Sequence, residues 1–251
     1  MASVSIILDG FPGKSSRGYF GWCTVSLIKS EEQNIIVDTG SYGDKWLLLS
    51  KLRGYGIKPQ DIDIVILTHL HYDHCINAIA FPNAEIVISE KELDYVFSDK
   101  PSEVGDTFIP HTIIERLTKE RNITEIKKDT HITENISVIN TPGHTPGCIS
   151  VKVEEENKTT VICGDCPRSA WELIKGESIL CFGSPKDFKN TIKRIRKIAN
   201  LIIPGHDRPF TIRKDEIIYQ KSLNVDLYLY LNPKAEKPTV YTVTDRGIIS
   251  V

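Results

Sequence analysis

Short runs of β-branched and aliphatic residues recur along the chain, each ended by glycine, proline or a ligand-type side chain. Residues 4–8, 24–28 and 34–37 are of this kind, as are Ile64-Val65-Ile66-Leu67, Ile136-Ser137-Val138-Ile139, Thr160-Val161-Ile162 and Leu201-Ile202-Ile203. Runs this short and this rich in Ile and Val predict buried strands. Helical patterning predicts helices near 43–53, 74–80, 90–97 and 186–199, with one more at 111–120 inside the polar stretch 98–130. In the 186–199 segment, Ile192, Ile195 and Ala199 recur at helical spacing. The basic run 189–197 therefore reads as the solvated face of an amphipathic helix, with an RNA-binding patch as the other reading. Strands alternating with helices predict a layered α/β fold.

Two segments stand outside this alternation. A glycine-rich loop over 10–21 brings Phe11, Lys14, Arg17, Tyr19 and Phe20 together, followed by Trp22. It reads either as a substrate flap or as an aromatic cap on the sheet. At the other end, Val240-Tyr241-Thr242-Val243-Thr244, Asp245-Arg246-Gly247 and Ile248-Ile249-Ser250-Val251 form a hairpin signal with glycine in the turn. This C-terminal extension, about 238–251, would pair with a sheet edge or with another subunit.

Composition narrows the classes. With 251 residues, 40% of them hydrophobic, the chain can bury one large α/β core. A net charge of −2 gives no general electrostatic reason to bind nucleic acid. Residues 1–8 lack a basic stretch, Asp9 ends the apolar run, and no segment approaches the ~20 apolar residues of a membrane span. The six cysteines are too few and scattered for a disulfide scaffold. Four lie beside candidate ligands (Cys75, Cys148, Cys163 and Cys166) and read as small buried thiols lining a site. A cytoplasmic location is expected. The Asn-x-Ser/Thr matches at Asn122, Asn135 and Asn157 then carry no consequence.

The strand ends carry the chemistry. His69-Leu70-His71-Tyr72-Asp73-His74 follows the 64–67 run, and imidazole with carboxylate is the donor set for Zn²⁺, Fe²⁺ or Mn²⁺. His69 and His71 can point the same way while the chain is extended, and Asp73 and His74 would open a helix. His144 in Pro142-Gly143-His144, Asp165 in Cys163-Gly164-Asp165 and His206 in Pro204-Gly205-His206 each follow another strand. Together these clusters supply five histidines and two aspartates, enough for two metals if one carboxylate bridges. His111 and His131 lie outside the pattern and read as structural or exposed. Because the clusters span most of the chain, no half could keep the site, so residues 1–251 read as one domain.

This motif series resembles that of the metallo-β-lactamase-fold hydrolase superfamily: an early Asp, then His-x-His-x-Asp-His, then His, Asp and His. The matching residues are Asp38 in Asp38-Thr39-Gly40, the 69–74 cluster, His144, Asp165 and His206. The resemblance implies a four-layer αββα sandwich with the site along one edge of its two sheets. It implies one metal on His69, His71 and His144, a second on Asp73, His74 and His206, Asp165 bridging them, and Asp38 orienting ligands. Two divalent ions, zinc foremost with iron or manganese as alternatives, would then share a bridging hydroxide. Asp73 would relay the proton as the catalytic residue.

Departures within the superfamily narrow the expectation. Asp165 in place of Cys or Ser, together with His74, points away from true β-lactamases. The absence of a His-x-Glu-x-Asp pattern points away from flavodiiron proteins. Persulfide dioxygenases share a segment like 142–148, but their Gly-Arg-Thr-Asp run is here Cys166-Pro167-Arg168-Ser169. Glyoxalase II carries a further C-terminal helical region, whereas 45 residues follow His206 here. Quorum-signal lactonases match in length and in Leu70-His71-Tyr72-Asp73-His74, yet their tyrosine after the bridging Asp is replaced by Arg168. Ser169-Ala170-Trp171 and the 204–210 segment are similar to the group containing animal metallo-β-lactamase-domain-containing protein 1, linked to RNA cleavage. The expectation is a hydrolase of a small ester, lactone or thioester, with Arg168, Phe20 and Trp22 binding substrate. The alternatives are a phosphodiesterase or ribonuclease, favoured by Arg168, Lys175 and the basic helix, and a mononuclear-iron persulfide dioxygenase, favoured by the cysteines. A small-molecule partner is expected and no membrane, with nucleic acid and a homo-oligomer left open.

Overall fold

A computed structural model describes residues 2–30 and 32–250. The N-terminal half contributes β1 (Ser3–Leu8), β2 (Lys14–Ser15), β3 (Gly18–Tyr19), β4 (Val25–Lys29), β5 (Asn34–Val37), β6 (Ile64–Ile66), β7 (Glu85–Ser89) and β8 (Ile123–Ile126). Its helices are α1 (Lys45–Gly54), α2 (Tyr72–Cys75), α3 (Glu90–Val96), α4 (Lys100–Val104) and α5 (His111–Glu120). The C-terminal half adds β9 (Thr130–His131), β10 (Ile136–Asn140), β11 (Ile149–Glu155), β12 (Lys158–Ile162), α6 (Ala170–Lys175), α7 (Pro185–Ile198), β13 (Leu201–Ile203), β14 (Phe210–Arg213) and β15 (Glu216–Tyr219). Last come β16 (Asn224–Leu229), β17 (Thr239–Thr244) and β18 (Gly247–Ser250).

Each half makes one sheet. The first runs β1-β4-β5-β6-β7-β8 and the second β15-β14-β13-β12-β11-β10-β9. Strand residues alternate faces, and here both faces are covered. In β5 and β6, Ile35, Val37, Ile64 and Ile66 point between the sheets, where they meet Val138, Ile149, Val151, Ile162 and Ile203 of the second sheet. Their neighbours Ile36 and Val65 point the other way, onto Leu48 and Leu52 of α1, Val96 of α3 and Leu117 of α5. In the second sheet, Val161 and Ile202 turn outward onto Leu173 of α6 and Phe188, Ile192 and Ile195 of α7. Helices, sheet, sheet, helices: the three cores are the three seams of the expected αββα sandwich. No described helix is long and apolar enough to cross a membrane.

Several local expectations shift. The helix foreseen at 74–80 is a single turn, α2, followed by a 3₁₀ turn at Ala78–Ala80. Asn77 ends the turn by hydrogen-bonding the carbonyls of Thr39, Gly40 and Ser41 with its side-chain amide. The polar 98–130 stretch holds α4 and strand β8 as well as α5. The C-terminal hairpin, β17 with β18, adds β16 and forms its own three-stranded sheet. From 211 to 249 no residue is buried. That sheet meets the sandwich at Arg208, which ion-pairs with Asp245 and stacks 3.7 Å over the Tyr219 ring.

Candidate metal centre

The ligand-type residues leave the sheets at the same edge because the strands that precede them are neighbours. β12 and β13 are parallel, with Ile162 beside Ile203, so the turns holding Asp165 and His206 lie side by side. Glycine is required in both turns. A Cβ on Gly205 would sit 2.2 Å from Asp165 Oδ1, and one on Gly164, whose φ is +55°, would sit 2.4 Å from Thr68 Oγ1. From the other sheet, the β6 exit delivers His69 and His71 in extended backbone, then Asp73 and His74 on α2. His144 follows β10.

All seven side chains are buried and converge. Three groups could each hold an ion: His69, His71 and His144; His69, His74 and Asp165; and Asp73, His74 and His206, with donor atoms within 4.8 Å of one another in each. His71 Nδ1 lies 3.0 Å from His144 Nε2. His206 Nε2 lies 3.4 Å from both His74 Nε2 and Asp73 Oδ2. Asp165 stands between the two sets. Its Oδ1 is 3.3 Å from His74 Nε2 and 3.2 Å from His206 Nε2, while Oδ2 is 3.5 Å from His144 Nε2.

Each imidazole is held from behind by its other nitrogen. His74 Nδ1 bonds to Asp38 Oδ2 at 2.8 Å, His71 Nε2 to Asp106 Oδ2 at 3.0 Å, His144 Nδ1 to the Leu180 carbonyl at 2.6 Å, and His206 Nδ1 to the Trp22 carbonyl at 3.1 Å. His69 Nδ1 faces the Thr68 hydroxyl at 3.2 Å, and that hydroxyl donates to Asp38. Carbonyls and carboxylates only accept, so they place the proton on the outer nitrogen and turn a lone pair inward. Buried His69 Nε2 and Asp165 Oδ1 have no hydrogen-bond partner. A buried acceptor without a donor is costly, and a cation would satisfy both atoms. The donor set fits divalent metal.

The electrostatics agree. Burial pushes His144 down to about 3, against the pull of Asp165, and lowers His69 together with the nearby His74 and His71, which keeps both the His144 and His69 rings neutral. Burial opposes ionisation of Asp165, yet Arg168, His206 and His74 hold it well below the usual carboxylate range. His74 is also penalised by burial but raised overall by Asp38, Asp165 and Asp73.

The other expected residues divide. Arg168 is nine-tenths buried, with Nη1 3.3 Å from Asp165 Oδ2 and its guanidinium over the Tyr19 ring at 4.9 Å. It lines a cavity of about 320 Å³ with Pro12, Tyr19, Trp171, Ile179 and His206. Phe20 and Trp22 do not line it. They stack with each other at 5.2 Å and against Phe11 at 5.9 and 5.5 Å, so the glycine-rich loop offers Tyr19 to the cavity instead. Cavities of about 310 and 580 Å³ elsewhere contain no ligand residue. His111 and His131 are exposed and outside the cluster. The six cysteines are free thiols. Cys23, Cys166 and Cys181 donate to the carbonyls of Asp73, Pro142 and Gly143, on the loops that carry ligands. Burial pushes these thiols up, so they are poor nucleophiles. Sequence reasoning missed Asp106 and the two anchoring carbonyls. A lone Asp in a polar stretch carries no spacing signal, and any residue supplies a carbonyl.

The sequence profile of the metallo-beta-lactamase superfamily matches residues 18–166. The chain belongs to that superfamily. It is 32% identical over 173 residues to a Methanocaldococcus jannaschii protein named as a probable metallo-hydrolase, covering 69% of this chain and 70% of the relative. It is 26% identical over 227 residues to mouse metallo-beta-lactamase domain-containing protein 1, covering 86% and 77%. A crystal structure of a Thermotoga maritima protein of the metallo-beta-lactamase kind superposes with a TM-score of 0.65 at 26% identity, covering 84% of this chain and 99% of that one. Superfamily membership and the His/Asp groups make this a metallo-hydrolase-type chain able to bind metal.

Proposed function

We propose that this superfamily member is a binuclear, zinc-dependent hydrolase of a small ester, lactone or thioester. The observation that carries the reading is Asp165, whose two oxygens face two different ligand groups. His69, His71 and His144 would hold one ion, Asp73, His74 and His206 the other. Divalent ions held there supply Lewis-acid activation of water and of the substrate's acyl oxygen.

The chain's own residues do the rest. Asp73 lines the opening of the site with Tyr72, Phe108 and Arg168, so its carboxylate is placed to take a proton from attacking water and return it to the leaving group. Water oxygen bonds to the acyl carbon, the C–O or C–S bond breaks, and the alcohol or thiol leaves with that proton. The Arg168 guanidinium, ion-paired with Asp165 at 3.3 Å, also lines the cavity, suited to an anionic part of the substrate. Tyr19, Trp171 and Ile179 give that cavity apolar walls. We read residues 1–251 as one domain, because both sheets donate ligands. The free thiols fit a reducing compartment, the cytoplasm.

The test is a panel of p-nitrophenyl esters, lactones and acyl thioesters offered to zinc-reconstituted protein. Turnover of at least one class, abolished by chelator and restored by zinc, is expected; inertness toward all three would contradict the reading. A phosphodiesterase is the second reading, favoured by Arg168 at the centre. Against a nucleic-acid track, two α7 arginines are already neutralised, Arg194 by Asp129 and Arg196 by Asp215. Cleavage of bis-p-nitrophenyl phosphate or RNA in preference to esters would select it.

A further inference from the structure

The five imidazoles are not held alike. His69, His74, His144 and His206 keep Nδ1 outside and turn Nε2 inward, whereas His71 is reversed. Its Nε2 is held by Asp106, and its Nδ1 lies 3.0 Å from His144 Nε2. Asp106 is itself fixed on several sides. Oδ2 also accepts from the Tyr95 hydroxyl at 2.9 Å, Oδ1 accepts from the Phe108 N–H at 3.1 Å, and the Asp106 N–H bonds to the Pro101 carbonyl at 2.8 Å. Gly105, left-handed at φ +71°, ends α4 and turns the chain so that Asp106 reaches His71.

A carboxylate ringed by donors acts as an acceptor, so it fixes the His71 proton on Nε2 and the lone pair on Nδ1. It also makes the ring a stronger donor. Within its group, only His71 has a carboxylate behind it; His69 faces a hydroxyl and His144 a carbonyl. In the other group, Asp38 plays that part for His74. Each half thus has one carboxylate-backed imidazole.

We propose that Asp106, backed by Tyr95, is a positioning residue that sets the donor atom of His71 and the metal affinity of the His69, His71 and His144 half. The other half depends on Asp38 instead. The inference rests on the binuclear reading, and the experiment separates the two. Metal-free wild type, Asp106→Ala, Asp106→Asn and Tyr95→Phe are titrated with Co²⁺, following visible absorption and competition by zinc, with circular dichroism to check the fold.

Wild type is expected to take two ions. Asp106→Ala should keep one at wild-type affinity and weaken the other ~10–100-fold. Asp106→Asn should weaken the same ion, and Tyr95→Phe should weaken it less. In the ¹⁵N spectrum of His71, the single Nε2–H tautomer of wild type should give way to a mixture in Asp106→Ala. Unchanged affinity for both ions, or equal weakening of both in a folded variant, overturns the proposal. If Asp106→Ala does not fold, Tyr95→Phe decides: selective weakening supports the proposal, and two unchanged affinities overturn it. A wild type that takes one ion sinks the binuclear reading alone; Asp106 is then judged by whether its loss weakens that ion.

Discussion

The sandwich and the C-terminal sheet are both built from alternating strands, yet they differ in what the alternation meets. In β5, β6, β12 and β13 each face of the strand is covered, so successive residues enter different seams and the strand ends are fixed. In β16, β17 and β18 no described side chain is buried. Alternation alone makes a strand; cover on both faces makes a strand whose end can hold a ligand to a fraction of an ångström. The site accordingly gathers at the edge of the sandwich, and the third sheet contributes none of its residues.

The largest expected effect lies at those strand ends. His71→Ala should empty the His69, His71 and His144 half, leaving one ion per chain, and should lower turnover by more than ~100-fold, since loss of a group merely orienting a ligand already costs ~10–100-fold. Elemental analysis beside steady-state kinetics would check it, and full turnover with unchanged metal would break the assignment. Next comes the seam behind the second sheet. Phe188→Ala removes a fully buried ring and should cost ~3–5 kcal/mol in urea unfolding.

A third effect is one of pH. Glu172 on α6 accepts hydrogen bonds from the N–H groups of Arg168 and Ile179. Burial nevertheless raises it from 4.5 to about 7. The folded state therefore holds a proton that the unfolded chain has released, and stability falls as pH rises from about 4.5 through about 7. Glu172→Gln should flatten that slope in thermal unfolding followed across pH; a slope that persists would assign it to other groups. The smallest effect belongs to the third sheet. Ile248→Ser, at a 68% exposed position, should change stability by no more than ~0.5 kcal/mol. A loss comparable to that of Phe188→Ala would show that this sheet is covered in solution, and the comparison would fail.

What was legible in the sequence follows the same division. The runs 64–67, 160–162 and 201–203 were readable because strands buried on both faces need unbroken apolar residues. The ligands were readable because turn residues and donors follow those runs at short, fixed spacing. Ile86-Val87-Ile88 carries the same signal and forms β7, a strand that was not foreseen. β16 escaped because nine residues separate it from its partner, with no tight turn to announce the pairing. Asp106 escaped because its place depends on the Gly105 turn and on contacts 35 residues from His71. Phe20 and Trp22 were expected at the substrate; aromatic rings can as readily pack on one another, and here they do.

We propose that two ions sit on either side of Asp165. A crystal structure of the zinc-loaded protein with anomalous scattering measured at the zinc edge tests it most directly. Two peaks are expected, one among His69, His71 and His144 and one among Asp73, His74 and His206, with Asp165 between them. A single peak, or peaks away from these residues, would contradict it.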